Sequence, residues 1–274
     1  MVSTSKMFPL SYGDLQKRFN AIVFEAMMKF SDKPIVGVYA SYSGGTDSAV
    51  MVELARNSFF DFDVFTIDTG LSTDGHISRI KKEVSDLNLR LSIYDNNGRE
   101  WFRDQVLENG FAYTPTIHTI YYRMLKERAL NKCIRETKTD RLDQVIFLTG
   151  VRRVESYKRA TTKLYDKNGS RIFVNPIAEF DEIDKRTVLE KAKWFNGKTT
   201  EDCMCNWHCK YHMDDLNDSP DLYKFINDLN KQMEYMGLWG YGDKPNNQYV
   251  QFNEVGENMP DNALCINCYS KALL

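Results

Sequence analysis

The apolar run Ile35-Val36-Gly37-Val38-Tyr39-Ala40 leads into Ser43-Gly44-Gly45-Thr46-Asp47-Ser48, and a second apolar run, Ala49-Val50-Met51-Val52-Glu53-Leu54-Ala55, follows at once. The first run reads as a buried strand and the second as a helix, so the glycines form a strand-to-helix loop. Few arrangements constrain a chain more. Two glycines let the backbone approach an anion, and successive N–H groups at a helix start point toward it. Two serine hydroxyls and one aspartate flank the turn. The loop has no lysine and is therefore not the Gly-Lys-Ser/Thr type of phosphate loop. The plain alternative is an ordinary turn whose helix is capped by Ser43 or Asp47.

Composition narrows the class. The chain has 274 residues, a formal net charge of −2 and an ordinary apolar fraction of 42%. That length suits one large domain, or a domain with a smaller appendage. A balance this close to neutral argues against broad, non-specific nucleic-acid binding, although a local basic patch remains compatible with it. The first ten residues lack the apolar core of a secretory signal, and no apolar run is long enough to cross a bilayer. The expectation is a cytoplasmic protein with no membrane partner. In a reducing compartment its six cysteines point to metal or redox chemistry before disulfides.

Ser11 reads as the cap of a helix whose Leu15, Phe19, Ile22, Val23, Ala26, Met27 and Phe30 recur at helical spacing. Further strands are expected at 62–68, 90–94, 144–149 and 171–175. Helices are expected at about 76–87, 99–108, 119–136 and, capped by Asp184, 185–195. Strands alternating with helices predict a doubly wound, mostly parallel five-stranded α/β sheet with helices on both faces. In such sheets ligands bind beyond the carboxyl ends of the strands. The glycine loop, Asp68-Thr69-Gly70 and Gly150-Val151-Arg152-Arg153 all stand at such ends. Beyond residue 198 the pattern changes: 199–274 is rich in cysteine, tryptophan, asparagine and glycine, with one helix at about 221–236. The reading is a nucleotide-binding domain over 1–198 and a cysteine-rich, metal-binding module over 199–274.

Four of the cysteines fall in two close pairs, Cys203-Met204-Cys205 and Cys265-Ile266-Asn267-Cys268, about sixty residues apart. Two pairs supply four thiolates, the number that closes a tetrahedral zinc site or an iron–sulfur cluster. His208, Cys209 and His212 offer a mixed Cys/His alternative, and free sulfur-carrying thiols are a third. Cys133, on the helix at 119–136, reads as a buried small hydrophobe.

The loop Ser43-Gly44-Gly45-Thr46-Asp47-Ser48 resembles the Ser-Gly-Gly-x-Asp-Ser loop of the PP-loop family, the adenine-nucleotide alpha-hydrolases. Gly150-Val151-Arg152-Arg153-Val154-Glu155-Ser156 resembles the Gly-x-Arg-x-x-Glu-Ser segment of its phosphoadenosine phosphosulfate reductase branch. The resemblance covers most of 34–195. It implies a nucleotide site made by Ser41, Ser43, Gly44, Gly45, Thr46, Asp47 and Ser48 around the phosphates, with Asp47 placing magnesium. It gives Ile67, Asp68 and Thr69 the adenine edge; the plain alternative, less favoured, is that Asp68 caps the next turn. Gly150, Arg152, Arg153 and Glu155 would meet a phosphate or sulfate, Arg152 as a planar donor fork and Glu155 as its orienting partner or a metal ligand. Lys126 would face the nucleotide from its helix. Asp47, Arg152 and Lys126 are the candidate catalytic groups.

The cysteine pattern resembles a PP-loop branch similar to the phosphosulfate reductases and to the sulfur-inserting proteins of DNA phosphorothioation. It implies a four-iron iron–sulfur cluster, rather than zinc, on Cys203, Cys205, Cys265 and Cys268. The chain departs from the assimilatory reductases: it has no Glu-Cys-Gly-Leu-His motif, and its first cysteine pair is split by Met204. The function implied is therefore ATP-dependent adenylation of an acceptor at the α-phosphate for sulfur transfer. A nucleic acid is a possible acceptor, and a sulfur-donor protein or cysteine desulfurase a possible partner. The alternatives are a reductase of phosphoadenosine phosphosulfate or adenylyl sulfate that releases sulfite, and a nucleotide-binding module without chemistry.

Overall fold

The computed structural model describes residues 9–95, 97–109, 120–121, 123–155, 157–196 and 219–232. The chain divides into two compact units. The first comprises 1–66, 79–93 and 133–200, and the second 67–78, 94–132 and 201–274.

The elements follow in the order α1 (Tyr12–Lys29), β1 (Ile35–Ser41), α2 (Thr46–Arg56), β2 (Asp63–Asp68), α3 (His76–Asp86), β3 (Leu91–Asp95) and α4 (Gly98–Asn109). A π-helical turn at Arg123–Glu127 leads into α5 (Arg128–Thr137). After it come β4 (Gln144–Leu148), two short 3₁₀ turns, β5 (Tyr165–Asn168), β6 (Arg171–Val174), α6 (Glu182–Leu189) and α7 (Pro220–Gln232). Ser11 caps α1 as expected, its hydroxyl accepting from the Asp14 N–H.

The sheet runs β3-β2-β1-β4-β6-β5. Strand β1 is parallel to β2 and β4, and β4 is parallel to β6; β5 pairs antiparallel with β6. The sheet therefore has six strands rather than the five expected. The extra strand is a polar edge that period-two hydrophobicity does not reveal. Its signal was the Gly169-Ser170 dipeptide, the two-residue hairpin loop between the paired Asn168 and Arg171, with Gly169 at positive φ.

Strand alternation sends Ala40, Val64, Ile146, Leu148, Ile172 and Val174 to one face of the sheet, where they join the core with Leu15 and Phe19 of α1, Ile80 and Val84 of α3, and Val188 of α6. Helix α2 is buried from Ser48 to Ala55, which is why its sequence is apolar almost all round. The other face carries stacked and edge-on rings: Tyr39 and Phe147 at 5.6 Å, Phe65 and Phe147 at 5.5 Å. On that side the Tyr39 hydroxyl meets Thr137 Oγ1, in the last turn of α5, at 2.7 Å. Helices thus cover both faces of the sheet.

Two helices differ from expectation. Helix α6 begins at Glu182, because Asp181 and Asp184 form a reciprocal capping box; Asp184 is the third residue of the helix, not its cap. The helix expected over 119–136 carries a π-helical turn at Arg123–Glu127, after helical residues 120–121 and before α5, so Lys126 does not stand on a regular α-helical face. Among the described residues no helix is long and apolar enough to cross a membrane.

Candidate functional site

Strand β1 lies between β2 and β4, and the chain runs outward from it in opposite directions, through β2 to β3 and through β4 to β6. This reversal point is where open α/β sheets leave a crevice. Register places Ala40 beside Leu148, so the segments that leave β1 and β4 emerge together. Gly150 packs so tightly against the start of α2 that a Cβ there would stand 2.8 Å from both the Asp47 carbonyl carbon and the Ser48 nitrogen. Only glycine permits that approach.

The loop has the form its sequence implies. Gly44 is left-handed at φ +74°. The cap of α2 is Gly45, which has no side chain to offer, so neither Ser43 nor Asp47 caps the helix. The first backbone bond of the helix runs from Ala49 N to Gly45 O at 2.9 Å. The N–H groups of Thr46, Asp47 and Ser48 precede it and have no intrahelical acceptor. Ser48 Oγ accepts from the Ser43 N–H at 3.2 Å and donates to Gly45 O at 2.9 Å, which holds the loop closed on itself. Ser41 ends β1 just before it.

Arg152, almost wholly buried, reaches this helix start. Its Nε donates to Asp47 Oδ1 at 2.7 Å and its Nη2 to Glu182 Oε1 at 2.7 Å. Its Nη1 is buried with no hydrogen-bond partner. Lys185 completes a four-charge cluster: its Nζ lies 2.6 Å from Glu182 Oε2 and 4.0 Å from Asp47 Oδ1. Burial pushes the Asp47 carboxyl above the usual carboxylate range, against the opposing pull of Arg152. Burial alone would lower Arg152, but Asp47 and Glu182 raise it, so it stays charged. The Glu182 carboxyl is held low: burial opposes this, and Lys185 and Arg152 outweigh it.

A second set of contacts braces the loop. Arg79 Nη1 approaches Gly44 O at 3.3 Å and Glu83 Oε2 at 3.2 Å, and the Tyr42 hydroxyl donates to Glu83 Oε2 at 2.6 Å. Burial and the adjacent Glu83 push the Tyr42 phenol far up, so it remains a donor.

Not every candidate faces the loop. Arg153 Nε is committed to Thr162 O at 2.8 Å and its Nη1 to Glu179 at 2.9 Å. Glu155, expected to orient the Arg152 fork or bind a metal, does not hold that fork; it accepts from the Arg152 backbone N–H at 2.9 Å and pairs with Arg159. Asp47 and Glu182 take the fork instead. Glu182, Lys185, Arg79 and Glu83 were not among the residues expected at the site. The capping box at 181–184 was the available signal for the first two, since a helix starting at 182 puts them three apart on one face.

Ile67, Asp68, Thr69 and Lys126 belong to the second unit. There Asp68 Oδ1 accepts from the Gly70 N–H at 2.9 Å, the turn-capping role weighed for it above, and Thr69 is fully buried. That unit also holds a cleft of about 950 Å³ bordered by Asp68, Asp74, His76, Arg99, Asp221 and Phe225. Within it Arg99 pairs with Asp221 at 2.7 Å and lies 4.9 Å over the Phe225 ring. Cys203, Cys205, Cys209, Cys265 and Cys268, with the module expected over 199–274 except for 219–232, lie outside the described residues. Cys133 is buried, as expected.

A mostly parallel sheet whose first strand opens through a Ser-Gly-Gly-Thr-Asp-Ser loop into a buried helix places the chain in the PP-loop class of nucleotide-binding folds. The model of the phosphoadenosine phosphosulfate reductase domain matches residues 37–191, more than half of the sequence, and the chain belongs to that family. No curated protein matches it. Solved structures similar in fold include a phosphoadenylyl-sulfate reductase from Candida auris at 16% identity, covering 68% of this chain and 89% of that one with a TM-score of 0.44. NMN synthetase from Francisella tularensis is 15% identical over 81% of this chain and 96% of its own, TM-score 0.48. The U34-tRNA thiolase NcsA from Methanococcus maripaludis, solved with its [4Fe-4S] cluster, is 16% identical over 80% of each chain, TM-score 0.45.

Proposed function

We propose that this protein is an adenine-nucleotide-dependent enzyme of sulfur metabolism that activates an acceptor by adenylation at the α-phosphate of ATP. The observation that carries the reading is the buried Arg152 Nη1, a charged donor without a partner, beside a helix start whose amides no side chain caps. Both are donors that a phosphate oxygen satisfies.

In this reading the amides and hydroxyls of Ser43, Gly44, Gly45, Thr46 and Ser48 hold the polyphosphate behind Ser41. Asp47 supplies the carboxylate for magnesium, which neutralises charge on the phosphates when bound. An acceptor oxygen attacks the α-phosphorus and loses its proton to solvent; the bond to the β-phosphate breaks and pyrophosphate departs. A sulfur nucleophile then displaces AMP. The chain's contribution is positioning and charge stabilisation, with Arg152 on a phosphate oxygen. The roles of Ile67, Asp68 and Thr69 at the base, of Gly150 and Arg153, and of Lys126 rest on the resemblance alone.

The cysteine pattern favours sulfur transfer. Four thiols suit a four-iron cluster, which would order the 199–274 module, and Cys209 would be a spare thiol. Replacing Cys265 by Ser then lowers bound metal, and full metal occupancy in that variant removes it from the ligand set. A nucleic-acid acceptor and a sulfur-donor protein belong to the same reading.

Membership of the reductase family favours a second reading, reduction of a sulfonucleotide with release of sulfite. Calorimetry on anaerobically purified protein separates the two. Tighter binding of ATP with magnesium, and acceptor-dependent pyrophosphate exchange, support adenylation. Preference for phosphoadenosine phosphosulfate, with thiol-dependent sulfite release, overturns it in favour of the reductase.

A further inference from the structure

We infer that Lys185 is a phosphate-binding residue of the loop site, and that the Glu182 carboxylate occupies, in the nucleotide-free protein, the place a phosphate oxygen takes against Lys185 and Arg152. The inference rests on the nucleotide reading of the loop and deepens it.

The loop itself has no lysine, so any ammonium at the phosphates must come from elsewhere in the fold. Helix α6 brings one. Its first turn is fixed by backbone capping: Asp181 accepts from the Ile183 and Asp184 N–H groups at 2.9 Å each, and Asp184 accepts from the Asp181 N–H at 3.3 Å. That geometry sets Glu182 and Lys185 on one face, turned to Asp47 and Arg152. An ammonium in the first turn of a helix opposes the helix dipole, so the helix itself does not favour Lys185 there.

The four side chains balance in charge, two cations against two carboxylates, but they differ in exposure. Lys185 and Asp47 are each 20% exposed and Arg152 only 3%, whereas Glu182 is 63% exposed. Glu182 is thus the member that can turn out to water at little cost. Its departure frees the two donors it now holds, Arg152 Nη2 and Lys185 Nζ, next to the Nη1 that has no partner. A planar fork and a point-charge ammonium then converge on the helix start, a donor set for the terminal phosphates of a polyphosphate. Asp47 keeps its bond to Nε throughout and holds the fork in place.

The test is calorimetric titration of inorganic pyrophosphate and of ATP, each with magnesium, into the full chain and its variants. Lys185→Met is expected to weaken both by about tenfold or more, and Lys185→Arg to restore most of the loss. Glu182→Gln, which keeps the shape but removes the competing charge, is expected to tighten both by about threefold to fivefold. A purely structural lysine would show neither the tightening nor the rescue. Wild-type binding that Lys185→Met leaves unchanged overturns this inference alone. Weaker binding by Glu182→Gln overturns the competitor role. Wild-type protein that binds neither probe overturns the nucleotide reading and the inference with it.

Discussion

Arg152 Nε donates to Asp47 Oδ1 across 2.7 Å, joining residues 105 positions apart in the chain. The bond ties the segment that leaves β4 to the first turn of α2. It shapes the donor fork and the carboxylate together, so neither group can be altered without moving the other.

Arg152→Met leaves Asp47 largely buried without its hydrogen-bonded partner, with Lys185, at 4.0 Å, to offset it. Removing one member of such a pair costs about 3 kcal/mol of stability, read by urea unfolding. Adding Asp47→Asn to that variant is expected to recover part of the loss, because no carboxylate is then left uncompensated. Equal stability of the single and double variants would show that the pair is not coupled.

Gly150→Ala places a methyl group 2.8 Å from the α2 backbone at Asp47 and Ser48. Backbone cannot step aside as a flexible side chain can, so the strand end and the helix start must part. The expected loss is about 1–3 kcal/mol, with weaker nucleotide binding. Thermal unfolding and calorimetry measure the two effects, and a variant with wild-type values in both would contradict the close approach.

Glu53 is a buried carboxylate on α2 that accepts from Arg56 through Nε at 2.7 Å and Nη2 at 2.9 Å, and from Trp194 Nε1 at 2.7 Å. Trp194 also meets the Tyr42 ring edge-on at 5.7 Å. Trp194→Phe removes one charge-assisted bond and some packing, and is expected to cost about 2 kcal/mol in chemical denaturation. Arg56 keeps the carboxylate paired, so the variant should still fold.

Asp143 receives three bonds from 139–140: the Thr139 N–H at 2.8 Å, the Thr139 hydroxyl at 3.1 Å and the Asp140 N–H at 2.7 Å. The backbone N–H groups of Asp140 and Thr139 hold its carboxyl below the usual aspartate value. A group lowered in the folded state contributes stability above its unfolded pKa, and that stability fades as pH falls through the folded one. Asp143→Asn should therefore melt below wild type at neutral pH, and the two should converge under acid below about pH 4. A melting-temperature gap that does not change with pH would assign the effect to shape rather than charge.

Local sequence patterns carried much of the architecture. Strand alternation, the Ser11 cap, the buried α2 run and the glycine loop are each written within a few consecutive residues, because φ > 0 at Gly44 and an uncapped helix start need only local chemistry. The β5 edge was less visible, since a polar strand gains its place by pairing with β6 and not by burying a face.

The identity of the Arg152 partners could not be read along the chain. Glu155 is three residues away and was the natural choice, yet Asp47 and Glu182 hold the guanidinium. Parallel pairing of β1 with β4 brings 47 and 152 together, and the capping box of α6 turns Glu182 and Lys185 to the same place. Short-range chemistry wrote the glycine loop. That Arg152, Glu182 and Lys185 gather at Asp47 depends on contacts between segments more than a hundred residues apart, and such contacts exist only once the sheet has assembled.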